Sequence, residues 1–108
     1  MDDQTMLELA AKAAGITTHG AMHADWLNGH STYWNPLTDD GDALRLAIDL
    51  QLGISIPPVI DGRVDVVTFY GPIISVIEYP VSGDRHAATR RAIARAAAEI
   101  QLAKESGK

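Results

Sequence analysis

Asp39, Asp40 and Asp42 crowd three carboxylates around Gly41, two residues after the run Tyr33-Trp34-Asn35-Pro36. Carboxylates at that density either gather a cation or receive the first amides of a helix. An EF-hand calcium loop spreads its oxygen ligands over about twelve residues and closes on a glutamate. Here the acids are nearly consecutive and no acid stands at the closing distance. A helix start accounts for them better, since its first N–H groups lack partners and its positive end favours negative charge. Thr38 or Asp39 would be the cap. The same acids can also meet a basic surface, so Asp39, Asp40 and Asp42 are candidate contacts for a partner protein.

A second chemical set lies in "DRHAATRRAIARAAAEI", residues 84–100. Arg91 and Arg95 stand one helical turn apart with Arg90 beside them, a spacing that suits phosphate oxygens or carboxylates gripped bidentately. The plainer alternative is a solvated helix face, paired to acids of the same chain. Trp26, Tyr33 and Trp34 are the aromatic candidates: such residues dominate binding energies at interfaces, and serve equally well as core anchors in a small domain.

Other chemistry is weakly supported. His19, His23 and His30, near Asp25, are imidazoles of the kind that bind zinc, copper or nickel. In an extended strand, however, His19 and His23 lie ~13 Å apart, and exposed loop histidines are the expected reading. Ser31, Ser55, Ser75, Ser82 and Ser106 lack a Gly-x-Ser-x-Gly setting. Glu78 and Asp65 could form an acid–base pair, but strand acids usually alternate outward. Neither glycine-rich phosphate motif is present. The expectation is a protein that is not an enzyme and needs no metal or other cofactor.

Charge narrows the partners. The chain of 108 residues has a net charge of −5, divided unevenly. Residues 84–108 carry six basic and three acidic side chains; residues 1–83 carry three basic and eleven acidic ones. Nucleic-acid binding needs a dominant basic surface, so direct binding of that kind is not expected. An acidic body with one basic helix suits docking to other proteins, or serves solubility alone. The absence of cysteine excludes disulfides and thiolate chemistry. No apolar run approaches the ~18 residues of a membrane span, and the acidic start "MDDQTMLEL" is unlike a secretory signal. A cytoplasmic protein is expected.

The elements that must position these residues follow from periodicity. "DDQTMLELAAKAAG" predicts a helix capped by Asp2 or Asp3 and stopped at Gly15. Residues 16–34 predict strands near 16–19, 23–27 and 31–34, with Asn28-Gly29 as a hairpin turn. A second helix is expected over about 39–52, ended by Gly53 and supported by an Arg45–Asp49 pair. Strands follow at Ile54–Ile56, "RVDVVTFY" and "IISVIEYP". The last is apolar on both faces and is therefore expected at the centre of its sheet, or covered on each side. A final helix from about Asp84 to Lys104 has Ala92, Ile93, Ala96, Ile100 and Ala103 as its core stripe. Together these predict one α+β domain over residues 1–108: a mostly antiparallel sheet of about four to six strands, with three helices packed on it in layers.

Two segments also carry a resemblance. "WNPLTDDGDALRLAIDL", Trp34 to Leu50, and "AATRRAIARAAAEI", Ala87 to Ile100, resemble a group of small proteins of tailed phages and prophages, and the pattern is similar to the phage ABA-sandwich domain. In that group an aromatic-Asn-Pro turn opens an acidic-capped helix, and the last helix bears an Arg/Ala stripe. No catalytic residues carry over. The resemblance implies a phage accessory protein acting inside the bacterial host. Its leading functional expectation is a non-enzymatic inhibitor of a bacterial defence system, anti-CRISPR-like, that binds a host or defence protein. The alternatives are an oligomeric sponge for a nucleotide signal, using Arg90, Arg91 and Arg95, and a structural or regulatory phage module. A homodimer through strand edges or the last helix is also open.

Overall fold

A computed structural model of the chain describes residues 1–16, 18–19, 22–25, 30–57, 62–80 and 83–107, with side chains for all of these outside residues 18–33. In chain order the elements are α1 (Asp3–Ala14), β1 (Thr18–His19), β2 (Met22–Asp25), β3 (His30–Tyr33), α2 (Asp40–Asp49), β4 (Leu52–Ser55), β5 (Val64–Thr68), β6 (Ser75–Glu78) and α3 (Arg85–Ser106). No helix among the described residues is long and apolar enough to cross a membrane.

Each helix starts on an aspartate. Asp2, Asp39 and Asp84 each accept the backbone N–H three residues on, from Thr5, Asp42 and Ala87. An aspartate oxygen at the cap satisfies one of the amides that a helix start leaves unpartnered. The Thr5 amide also holds the exposed Asp2 carboxyl below its ordinary pKa. Gly15, with φ of 73°, ends α1 in the left-handed region that favours glycine.

The α+β class is as expected, with three helices, but the strands do not form one sheet of four to six. Among the described residues they divide into two antiparallel three-stranded sheets, ordered β1-β2-β3 and β4-β5-β6. In the first, Asp25 stands opposite His30 and Met22 opposite Tyr33. The expected Asn28-Gly29 turn lies outside the described residues. The second sheet supplies the core. Val64, Val66 and Val76 point from its inner face and are fully buried, because α3 lies across β5 and β6.

The last helix is more deeply enclosed than a single stripe predicts. Besides Ala92, Ile93, Ala96 and Ile100, it buries Ala88, Ala94, Ala97 and Ala98. Ala94 and Ala98 meet Met6 and Leu9 of α1, while Ala92, Ala96 and Ala97 belong to the cluster that holds Trp34, Leu46 and the sheet valines. The helix is thus lined with small side chains toward α1 as well as toward the sheet, α2 packs beside it, and the backbones can approach closely.

Three local expectations are corrected. Gly53 does not end α2; the helix closes at Leu50, Gln51 takes a positive φ of 56°, and Gly53 lies inside β4. A Cβ at Gly53 would stand 2.6 Å from the Phe69 ring, so glycine lets that ring fold onto the sheet. The strand in "IISVIEYP" is β6, an edge strand, with β5 at the centre. Arg45 turns back to Asp42, at 2.7 Å, rather than forward to Asp49.

Candidate functional site

The segment from Trp34 to Asp42 is built as one unit. Trp34 leaves β3 and is 5% exposed, packed in the main core. It takes the core-anchor role rather than that of a surface contact. Trp26 and the Tyr33 side chain lie outside the described residues. Asn35 accepts the Leu37 N–H on its own side-chain oxygen at 2.9 Å, a local Asx turn that carries the buried Pro36. Its backbone N–H is taken by Asp42 Oδ2 at 3.0 Å.

The three aspartates therefore have three different roles. Asp39 is the helix cap, accepting the Asp42 N–H at 2.8 Å. Asp42 is mostly buried and binds the turn through Asn35 with one oxygen and Arg45 with the other. That contact raises the Arg45 pKa above its ordinary value, through the Asp42 hydrogen bond first. Asp40 is largely exposed, as is the capping Asp39, and reaches across to α3, where Arg90 Nη1 lies 2.7 Å away. Charge reversal at Asp42 would break the turn and at Asp39 would remove the cap, so Asp40, whose reversal gives up only its pair with Arg90, is the mildest test of an acidic contact surface.

The arginines are engaged within the chain. Arg90 donates Nε to the Leu37 carbonyl at 2.9 Å as well as pairing with Asp40. Arg91 pairs with Asp3 of α1, and Arg95 with Glu78 of β6, each at 3.0 Å. They point to three different acids rather than converging on one anion. Arg90→Lys keeps the charge but cannot make both bonds, so a loss of about 1–2 kcal/mol in chemical denaturation is expected. An unchanged midpoint would show that the strap from α3 to the turn contributes nothing.

Glu78 and Asp65 do not meet either. Glu78 stands opposite Val64 and shares the helix-covered face, whereas Asp65 faces outward beside Arg63, at 3.4 Å. Strand alternation separates them to opposite sides of the sheet. Among the described residues no group of three or more histidine, aspartate or glutamate side chains gathers to hold a metal. The side chains of His19, His23, Asp25 and His30 lie outside that description.

What sequence reasoning missed is a cleft of about 260 Å³ between α2, α3 and β4. Ala43, Leu44, Ile54, Ile56 and Ile93 form its apolar walls, and the Asp40–Arg90 ion pair stands at it. Leu44 is 57% exposed, and Ile54 and Ile56 are also open to solvent. A signal existed: Leu44 and Ile48 lie beside the buried stripe of α2, a wider apolar face than the core uses. The cleft lies just below the ~300–1,000 Å³ of ordinary small-ligand pockets. Its size and apolar lining suit one or two inserted side chains better than a nucleotide.

The α+β domain thus carries an apolar cleft with an ion pair beside it. No protein-family model, curated protein or solved structure matches the chain.

Proposed function

We propose that the chain acts by binding another protein through the cleft between α2, α3 and β4. The observation that carries this reading is the set of exposed aliphatic side chains, Leu44, Ile54 and Ile56, around a concave site with the Asp40–Arg90 pair beside it. Interfaces take most of their energy from a few apolar anchors seated in pockets, with polar groups around them setting orientation. On the resemblance of Trp34–Leu50 and Ala87–Ile100 to phage and prophage proteins, the bound protein is a component of a bacterial defence system. The binding is inhibitory and needs no chemistry from this chain. Aspartates of the turn contribute through Asp40, whose carboxylate is the one exposed at the cleft.

The test is a plaque assay on bacteria that carry a CRISPR–Cas system directed at the infecting phage. Expression of the chain is expected to restore plaques, and Leu44→Asp to abolish that effect while keeping the fold. A charge placed in the cleft should weaken binding by at least ~30-fold, because it must be desolvated on contact. Equal restoration by folded Leu44→Asp would remove the cleft from the mechanism. Failure of the parent chain to restore plaques, together with stoichiometric capture of a phage structural protein, would move the reading to a phage interaction module.

A further inference from the structure

β4 stands at one edge of the β4-β5-β6 sheet, and among the described residues no strand pairs with its far side. An edge strand keeps a row of backbone N–H and C=O groups without partners, a template for another extended chain. Proteins guard such edges with charged side chains, inward-pointing ones included. The opposite edge, β6, is guarded in that way: Glu78 lies on the helix-covered face and is held by Arg95. β4 reads Leu52-Gly53-Ile54-Ser55 and carries no charge. Its inner face is also short of cover. Ile54 stands opposite the fully buried Val66 and shares its face, yet is 37% exposed, because α3 lies mainly across β5 and β6. The space this leaves is the cleft between α2, α3 and β4.

Resting on the cleft reading proposed above, we infer that its occupant is an extended segment of the partner protein, added to β4 as a fourth strand. Backbone chemistry is the first reason. A strand lies ~4.8 Å from its neighbour and pairs the N–H and C=O groups that a bound helix would leave unpaired. Position is the second. A strand laid along β4 sends every other side chain to the inner face, beside Ile54 and into the cleft. Volume is the third. About 260 Å³ holds the one or two side chains that a short strand turns inward, whereas an amphipathic helix seats its anchors over two full turns. Charge sets the composition. The start of α2 and the end of β4 line the same cleft, and there the Asp40 side chain is 73% exposed against 18% for Arg90. The fitting segment is therefore aliphatic at alternate positions and ends on a lysine or arginine. A second copy fits less well. Its own β4 would bring Leu52, which already packs against the core of that copy, and a like net charge of −5.

Selection of random linear peptides, displayed against the immobilised full chain, tests this mode of binding. Enriched sequences are expected to alternate apolar and polar residues and to carry a basic end. N-methylation of one alternate set of backbone amides in the best peptide should weaken it by ~10-fold or more, and of the other set should not, because only alternate amides point at β4. Hydrogen exchange reads the same contact from the chain: the outward amides of β4 should exchange readily alone and become protected with peptide bound. Leu44→Asp should weaken the peptide too, which seats it in the cleft; if that variant fails to fold, the exchange map decides. Enriched peptides of helical period that still depend on Leu44 overturn the strand and leave the cleft reading standing. No enrichment, or a peptide indifferent to folded Leu44→Asp, overturns strand addition at this cleft. Protection of every β4 amide in the chain alone overturns it as well, since the edge would already be covered by this chain or by a second copy.

Discussion

Trp34→Ala is expected to lose about 3–5 kcal/mol of stability, the ordinary cost of deleting a buried tryptophan ring. Against a total of ~5–15 kcal/mol for a native domain, that brings the chain close to unfolding at room temperature. The size of the effect follows from position. The indole sits where β3 passes into the Asn35-Pro36 turn, in the cluster shared by Ala43 and Leu46 of α2, Val66 and Val76 of the sheet, and Ala96 of α3. Its loss would open a cavity where sheet and helices meet, and the turn locked by Asn35 and Asp42 cannot collapse into that space without breaking its own hydrogen bonds. Trp34→Phe, which keeps most of the volume, should cost less than half as much. Urea denaturation measures both. If Trp34→Ala stays within ~1 kcal/mol of the parent, the indole is solvent-facing and returns to the set of partner contacts.

The second large effect concerns a gain of volume. Ala96→Leu is expected to destabilise by about 2–3 kcal/mol, at the upper end of the overpacking range. Alanine is fully buried at this site, facing the side of α3 that carries the sheet. Three added carbons have no void to enter, and α1 on another side prevents the helix from shifting away. Helix propensity is not the cause, since leucine is nearly as good a helix former as alanine. The control is Ala103→Leu, a half-buried position in the last turns of the same helix, where a change within ~0.5 kcal/mol is expected. Equal thermal midpoints for the two variants would mean that α3 is not held closely on both sides.

The candidate site divides between what side-chain type announces and what only packing assigns. The aspartates at 39, 40 and 42 were legible as a helix start, because unpartnered amides and a positive helix end attract carboxylates wherever a helix begins. Their separate roles were not legible. Whether Asp42 faces the Asn35 amide or solvent depends on how the Pro36 turn is docked, and that docking depends on Trp34. The arginines show the same limit. Helical spacing predicts that Arg91 and Arg95 share a side, but not that Asp3 and Glu78 wait there from α1 and β6. Those acids are 88 and 17 residues away along the chain.

Local chemistry by itself determined the three helices, the aspartate at each start, the glycine end of α1, and strands in the two β-rich regions. These depend on caps, turn residues and hydrophobic period, all properties of short segments. Tertiary structure alone decided the division into two sheets, since strand pairing joins distant segments and either face of a short apolar strand can turn inward. It placed β6 at an edge despite its apolar composition. It also showed that the alanines of α3 serve more than one side, because a methyl group carries no periodic signal strong enough to mark which face is buried. Tertiary structure left Leu44, Ile54 and Ile56 around a cleft, and Phe69 and Ile77 exposed among the described residues. An apolar residue reads as core in the sequence, and only the packed chain shows which of them its own core does not use.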